Sequence, residues 1–177
     1  FGARSRAADP GAVDGVTLLS NQFGLYVEGG SLRVDNALMD SNTSRGAFVS
    51  GGATLELAHA TIIGSSDGVY VTGATARIWN SIIANNTDGV QRASGTLTVT
   101  CSAVCGNSTN YNGAVAGTGC ISVNPVFAGA TDYHLTATSP CIDSGTATGA
   151  STRDRDGAPR PIDGDGIGGA AYGSFAL

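Results

Sequence analysis

Four aspartates, Asp154, Asp156, Asp163 and Asp165, fall within twelve residues of glycine-rich chain. Closely spaced carboxylates on flexible backbone are what a hard cation seeks, and Ca²⁺ is its natural occupant outside the cell. The spacing is not that of an EF-hand and the terminal Glu is missing. Arg153, Arg155 and Arg160 lie in the same stretch and offer the alternative, neutralisation of these acids without a metal. Arg33 and Arg77, with Asp35 and Asp40, are the residue types a polysaccharide lyase would use to neutralise a uronate and abstract a proton. The competing reading makes Arg33 and Arg77 rungs of a surface charge ladder, and the chain contains no lysine to serve as a base. His59 occupies a position held by Asn36 and Asn80 elsewhere, which points to side-chain hydrogen bonding of a turn. His134, between Tyr133 and Leu135, is read as a surface residue.

Cys101, Cys105, Cys120 and Cys141 show no Cys-x-x-Cys and no metal-ligand spacing to either histidine. An even count in a chain rich in Ser, Thr and Gly points instead to two disulfides and an oxidising compartment. Three pairings exist. The one favoured on spacing closes a local loop with Cys105–Cys120 and ties the last coils together with Cys101–Cys141.

Tyr26, Phe48 and Tyr70 stand at one repeated position, flanked by small aliphatics. If Leu25, Val27, Val49, Val69 and Val71 point inward, the three rings form an outward ladder able to contact sugar rings or a partner surface. The opposite reading buries the rings, in the core or beneath a later segment. Trp79, next to Arg77 by alternation, is a second candidate for stacking on carbohydrate.

These residues are carried by a repeat. Gly24-Leu25-Tyr26-Val27, Gly46-Ala47-Phe48-Val49, Gly68-Val69-Tyr70-Val71 and Gly89-Val90-Gln91-Arg92 recur at steps of 22, 22 and 21. A second motif begins at Asn36, His59, Asn80 and Cys101, and polar turns follow near Asn42, Ser65, Asn86 and Asn107. Each unit holds three short alternating stretches, and none shows an apolar 3.6-residue period. Such a period is the signature of a β-solenoid, whose coils bury their inward faces only by stacking. Leu32, Val34, Leu57, Ile78, Leu97 and Val99 are expected inside, with Arg33, Glu56, Arg77 and Thr98 outside. The fold expected is all-β, a right-handed parallel β-helix of about six coils over residues 1–123. Residues 124–177 then supply a last coil and a C-terminal capping segment of the same domain.

The text changes at Asn124. Asn124-Pro125-Val126-Phe127 is followed by Tyr133-His134-Leu135, Ser139-Pro140-Cys141-Ile142-Asp143-Ser144-Gly145 and Asp154-Arg155-Asp156-Gly157-Ala158-Pro159-Arg160-Pro161. This order resembles the C-terminal part of the choice-of-anchor Q domain family, pectin-lyase-like parallel β-helices of bacterial surface and secreted proteins. The resemblance covers roughly residues 16–177. One departure is Ala171-Tyr172-Gly173-Ser174-Phe175-Ala176, where both acidic residues of the family's closing motif are missing. The resemblance implies a secreted or cell-surface location and the β-helix fold, but no single reaction. Asn86-Thr87-Asp88 is similar to a polygalacturonase motif, but its companion motifs are absent and it sits where other coils carry turn residues.

Composition narrows the functions further. Charged residues are 13% of 177, the net charge is −5, and no basic cluster is present, which argues against nucleic acid and anionic membranes. No apolar run is long enough to span a membrane. All nine basic residues are arginine, read here as codon bias of a GC-rich genome. The chain opens on Phe1 without methionine and is read as a mature or excised product. Open strand edges in the first coil make end-to-end or side-by-side self-association an expectation. The function expected is a structural, adhesive or glycan-contacting module without its own catalytic centre, with polysaccharide or another surface protein as partner. The alternative is the C-terminal part of a polysaccharide lyase or glycoside hydrolase whose active coils lie upstream.

Overall fold

The computed structural model describes residues 1–6 and 11–160. Its first turn consists of β1 (Ala3–Ser5), β2 (Gly11–Asp14) and β3 (Thr17–Leu19). The second has β4 (Phe23–Glu28), β5 (Ser31–Asp35) and β6 (Leu38–Asp40), and the third β7 (Arg45–Ser50), β8 (Thr54–Ala58) and β9 (Thr61–Ile63). The fourth has β10 (Asp67–Val71), β11 (Ala74–Trp79) and β12 (Ile82–Ala84). The fifth has β13 (Asp88–Arg92), β14 (Gly95–Thr100) and β15 (Ala103–Cys105), and β16 (Thr109–Asn112) opens a sixth. Corresponding strands pair in parallel into three sheets: A from β1, β4, β7, β10, β13 and β16; B from β2, β5, β8, β11 and β14; C from β3, β6, β9, β12 and β15. This is the expected right-handed parallel β-helix, with five complete turns rather than about six. Among the described residues the strands stop at Asn112, and beyond it only Ile121 forms a β-bridge to the stack, opposite Ala103.

Alternation sets the faces. Leu32, Val34, Leu57, Ile78 and Val99 of sheet B are buried, and Leu97 packs against them, as expected. Leu25, Val27, Val49, Val69 and Val71 of sheet A and Met39, Ile62, Ile83 and Val104 of sheet C complete one continuous core. Outside sheet B, Arg33 stands opposite Glu56 and Glu56 opposite Arg77, with closest N···O distances of 3.9 and 3.8 Å. Such exposed pairs contribute at most about 1 kcal/mol each.

Two corners explain the second motif and the polar turns. Asn36, His59, Asn80 and Cys101 all take left-handed backbone, with φ of 54°, 46°, 49° and 43°. Asparagine tolerates that conformation best, and the sharp bend it makes turns the chain from sheet B to sheet C. At the other corner an asparagine ladder runs along the stack. The Asn42 Oδ1 accepts from Asn21 N, Asn86 Oδ1 from Ser65 N, and Asn107 Oδ1 from Asn86 N. Their Nδ2 groups donate to carbonyls of Leu18, Ile62 and Ile83. Each amide, buried at Asn42 and Asn86 and half-buried at Asn107, thereby satisfies itself and a backbone group of the neighbouring coil.

The repeated glycines at the start of sheet A strands are required by proximity. A Cβ at Gly24, Gly46 or Gly68 would lie 2.7, 2.6 or 2.5 Å from the carbonyl oxygen of the next glycine in the row. At Gly68 it would also lie 2.6 Å from Ile83 Cγ2, inside the core. Gly68→Ala is therefore expected to force two coils apart and destabilise the solenoid by about 1–3 kcal/mol. Urea unfolding followed by circular dichroism checks this, and an unchanged midpoint would refute the crowding argument.

Candidate functional site

Residues 124–160 turn back along the solenoid as a strap, and this strap claims most of the groups that look reactive in the sequence. It covers the outer face of sheet C first. Ile82, Ala84, Ala103 and Cys105 form a satellite apolar cluster with Cys141, against which Ile121, Phe127 and Leu135 pack. Farther along, the buried Tyr133 donates its hydroxyl to Asp40 Oδ2 at 2.8 Å. Burial and then that carboxylate push its phenol up to about 12.

The corner between sheets B and C is where the strap is held. Asn80 Oδ1 accepts from Thr146 N at 2.8 Å while its Nδ2 donates to Thr146 O at 2.7 Å, a two-point clasp. Arg33 donates to Gly149 O at 2.8 Å, and Arg160 donates to Asn36 Oδ1 at 2.7 Å. Asn36 Nδ2 also reaches Arg153 O and Asp14. Arg155 extends the row to Thr17 on the first turn.

Beneath the strap lies a buried polar chain. His59 Nδ1 is 2.6 Å from Asp35 Oδ1, and its Nε2 is 3.1 Å from Asn80 Nδ2. The Asn80 amide can only donate there, so Nε2 accepts, and Nδ1 carries the proton that faces Asp35. Burial opposes charge on Asp35, but the His59 hydrogen bond and then Arg33 outweigh it and hold the carboxyl below the usual range. An Asp–His pair can serve a nucleophile, but here the third member is the amide that clasps Thr146. His59 is a structural histidine, as its position among Asn36 and Asn80 implies.

Trp79, expected to present its indole to carbohydrate, is not displayed that way. A Cβ on Gly149 would lie 3.6 Å from its ring, and the Arg33 guanidinium sits 5.2 Å from the ring centroid. The strap occupies the face a sugar would need. Arg33 is likewise committed to Asp35 and Gly149, whereas Arg77 remains exposed beside Glu56. Asn86-Thr87-Asp88 is divided: Asn86 is buried in the asparagine ladder, and Asp88 on sheet A accepts from Asn112.

The aromatic ladder faces outward. Tyr26, Phe48 and Tyr70 are in register on β4, β7 and β10, above the buried valines. Tyr26 and Phe48 stack at 4.9 Å with an interplanar angle of 1°, and Phe48 and Tyr70 are 5.6 Å apart. Two rings join that the repeat does not announce: Phe23 stacks on Tyr26 and Phe48, and Phe1 on Tyr26 and Phe23. Arg45 lies 4.8 Å from the Phe48 centroid and 4.1 Å from that of Tyr70, and it pairs with Asp67 at 3.0 Å. Arg4 sits 4.9 Å from Tyr26. Burial, and then Asp88 in the next coil, raise Asp67 against the pull of Arg45.

The cysteines depart from the favoured pairing. Cys101 lies close to Cys120 and Cys105 close to Cys141. The reason is the pleat: Cys105 is turned to the outer face of sheet C, while Cys120 packs against the main core on the other side. Cys105–Cys120 would have to cross that sheet. Of the Ca²⁺ candidates, Asp163 and Asp165 lie outside the described residues. Asp154 Oδ1 accepts from the backbone of Asp156 and Ala158, and Asp156 pairs with His134. No group of three ligating side chains forms among the described residues.

His134 is exposed, as expected, yet both ring nitrogens are engaged: Nδ1 with Asp132 at 2.5 Å and Nε2 with Asp156 at 2.6 Å. The hydrogen bond to Asp156, then that to Asp132, raise its pKa above the ordinary 6.5. A raised value means the clip stabilises the fold fully below the ordinary value and loses that contribution as pH rises through the raised midpoint. An NMR titration should place the His134 midpoint above that of a model histidine, and His134→Gln should remove the corresponding fall in melting temperature. A midpoint at or below that of an unperturbed histidine would show that the clip does not hold. No family model matches this chain, and neither a curated protein nor a solved structure does.

Proposed function

We propose that this chain is a secreted or cell-surface β-solenoid with a structural and adhesive role. It contacts polysaccharide through the outer face of sheet A and carries no catalytic centre of its own. The observation that carries this reading is how the outer faces are used. Strap residues cover sheet C and the corner where His59, Asp35 and Trp79 lie. Sheet A keeps a continuous row of five rings with Arg4 and Arg45 against them. Because neighbouring rings stack on each other, the row offers edges and guanidinium groups more than open ring faces. Such a surface suits a long polymer lying across several coils better than a single sugar held in a pocket. The resemblance of the C-terminal motifs to choice-of-anchor Q domains supports the cell-surface setting. The engagement of Asp35 with His59 and Arg33, and of Asp67 with Arg45, supports a non-catalytic role.

Affinity electrophoresis against a panel of acidic and neutral polysaccharides tests the reading. Retention by at least one polymer is expected, with Tyr70→Ala weakening it roughly tenfold or more, the scale of an interface hot spot. Arg77→Ala on sheet B should leave it unchanged. Equal loss in both variants, absence of retention across the panel, or chain cleavage of any polymer would each overturn the proposal.

A further inference from the structure

We propose that Cys101–Cys120 and Cys105–Cys141 form two disulfides that staple the strap to the last complete turn. Cys101 sits at the left-handed corner after β14, and the chain passes it again at Thr118–Cys120. There Cys101 N donates to Thr118 O at 2.9 Å, and a Cβ on Gly119 would come within 3.0 Å of the Cys101 Sγ. That crossing brings the neighbouring Cys120 to the same corner, with its Sγ 3.3 Å from Val99 O. The second pair is built differently. Cys105 ends β15 on the outer face of sheet C, and Cys141 is buried with it in the satellite cluster. Ser139 fixes the approach of Cys141: its hydroxyl donates to Pro125 O at 2.5 Å and its oxygen accepts from Cys141 N. Two sulfurs are thus placed together at each of two points, one where the chain leaves the stack and one midway along the strap.

The oxidant is a disulfide of the glutathione or thiol–disulfide carrier class. A cysteine thiolate attacks one carrier sulfur, forming a mixed disulfide and expelling the other sulfur as a thiolate. The second cysteine then loses its proton and attacks the protein sulfur of the mixed disulfide, closing the protein bond. The carrier leaves reduced by two electrons, and the two protons lost by the protein thiols end on the carrier's thiols. The pairs differ in access. Cys105 and Cys141 are held by burial at about 11, whereas Cys101 and Cys120 are partly exposed. In the folded, reduced chain an alkylating reagent should therefore modify Cys101 and Cys120 well before Cys105 and Cys141.

The linkage itself is read by oxidising the full reduced chain with oxidised glutathione, blocking residual thiols in denaturant, and mapping fragments by mass spectrometry. All four cysteines lie between Arg92 and Arg153, so trypsin leaves them together. Chymotrypsin at Tyr111, Phe127 and Tyr133, followed by elastase at Ala103 or Val104, separates them. The expected map links Cys101 to Cys120 and Cys105 to Cys141 with no thiol left. Linkage of Cys105 to Cys120, linkage of Cys101 to Cys105, or persistent thiols after oxidation would overturn the proposal. As a second readout, C105S/C141S should retain one disulfide and C101S/C141S none. A bond between Cys105 and Cys120 in the latter would count against the assigned geometry. Because the oxidant is supplied in the tube, the result does not depend on the cell-surface reading.

Discussion

Neighbouring coils of this protein hydrogen-bond to one another, so a residue within the stack has a counterpart roughly 4.8 Å away along it. The rest of the structure follows from that enforced stacking. A side chain persists at a repeated position only if it tolerates a copy of something similar at that distance. Valine and leucine do, because they bury one another. Asparagine does, because its amide is donor and acceptor at once, which is why Asn42, Asn86 and Asn107, with Ser65 between the first two, can occupy one corner row. Like charges do not tolerate it. The low charge content is the compositional trace of this rule, and the charges that remain alternate, as in Arg33, Glu56 and Arg77. Asp14 opposite Asp35 and Asp67 opposite Asp88 are exceptions among the described strands. Burial raises the Asp67 carboxyl and Asp88 adds to it, with Arg45 the partner of Asp67 and Asn112 that of Asp88.

The same rule governs how much could be read without coordinates. Contacts along the stack join residues 21 to 23 apart, and such contacts appear in the sequence as a period. The three sheets, the inward valines, the outward aromatic row and the sheet B charge ladder are all of this kind. The strap is not. Its contacts to the coils join Arg33 to Gly149, Asn36 to Arg160 and Asn80 to Thr146, pairs that share no period and no local motif. Trp79 illustrates the difference. Alternation placed it outside correctly, but nothing in the coil repeat could say that Gly149 would lie over its ring. The cysteines fail for a related reason. Loop length favours Cys105 with Cys120, whereas the pleat puts their side chains on opposite faces of sheet C.

The strap also changes the meaning of the polar groups at the corner. A left-handed corner residue exposes its side chain outward, and a stack of bare solenoid coils would leave Asn36, His59 and Asn80 to water. Covering them removes that water, and every polar atom then needs a protein partner or costs about 1–3 kcal/mol. The backbone of Thr146, Gly149 and Arg153 supplies many of those partners. The resulting fit depends on the residues differing from coil to coil. His59 bridges Asp35 and Asn80 across two coil steps, which a third asparagine could not do with the same reach. The irregularity of the motif at this corner is thus a requirement of the dock.

Among the described residues sheet A escapes this treatment, and the reason lies in the same geometry. Its strands begin with glycines so tightly stacked that no side chain fits between coils at that edge. The coil axis therefore runs close and regular there, and the outward rings fall into van der Waals register with one another. Stacked rings with guanidinium groups against them form a stiff surface, because each ring is held by two neighbours and loses little freedom on contact with a partner. A surface ordered before binding costs less to immobilise than a loop of the same area. That is the physical ground for the proposal that recognition falls on this face, and for reading the buried histidine, the tryptophan and the clasped asparagines as the groups that hold the strap on the other.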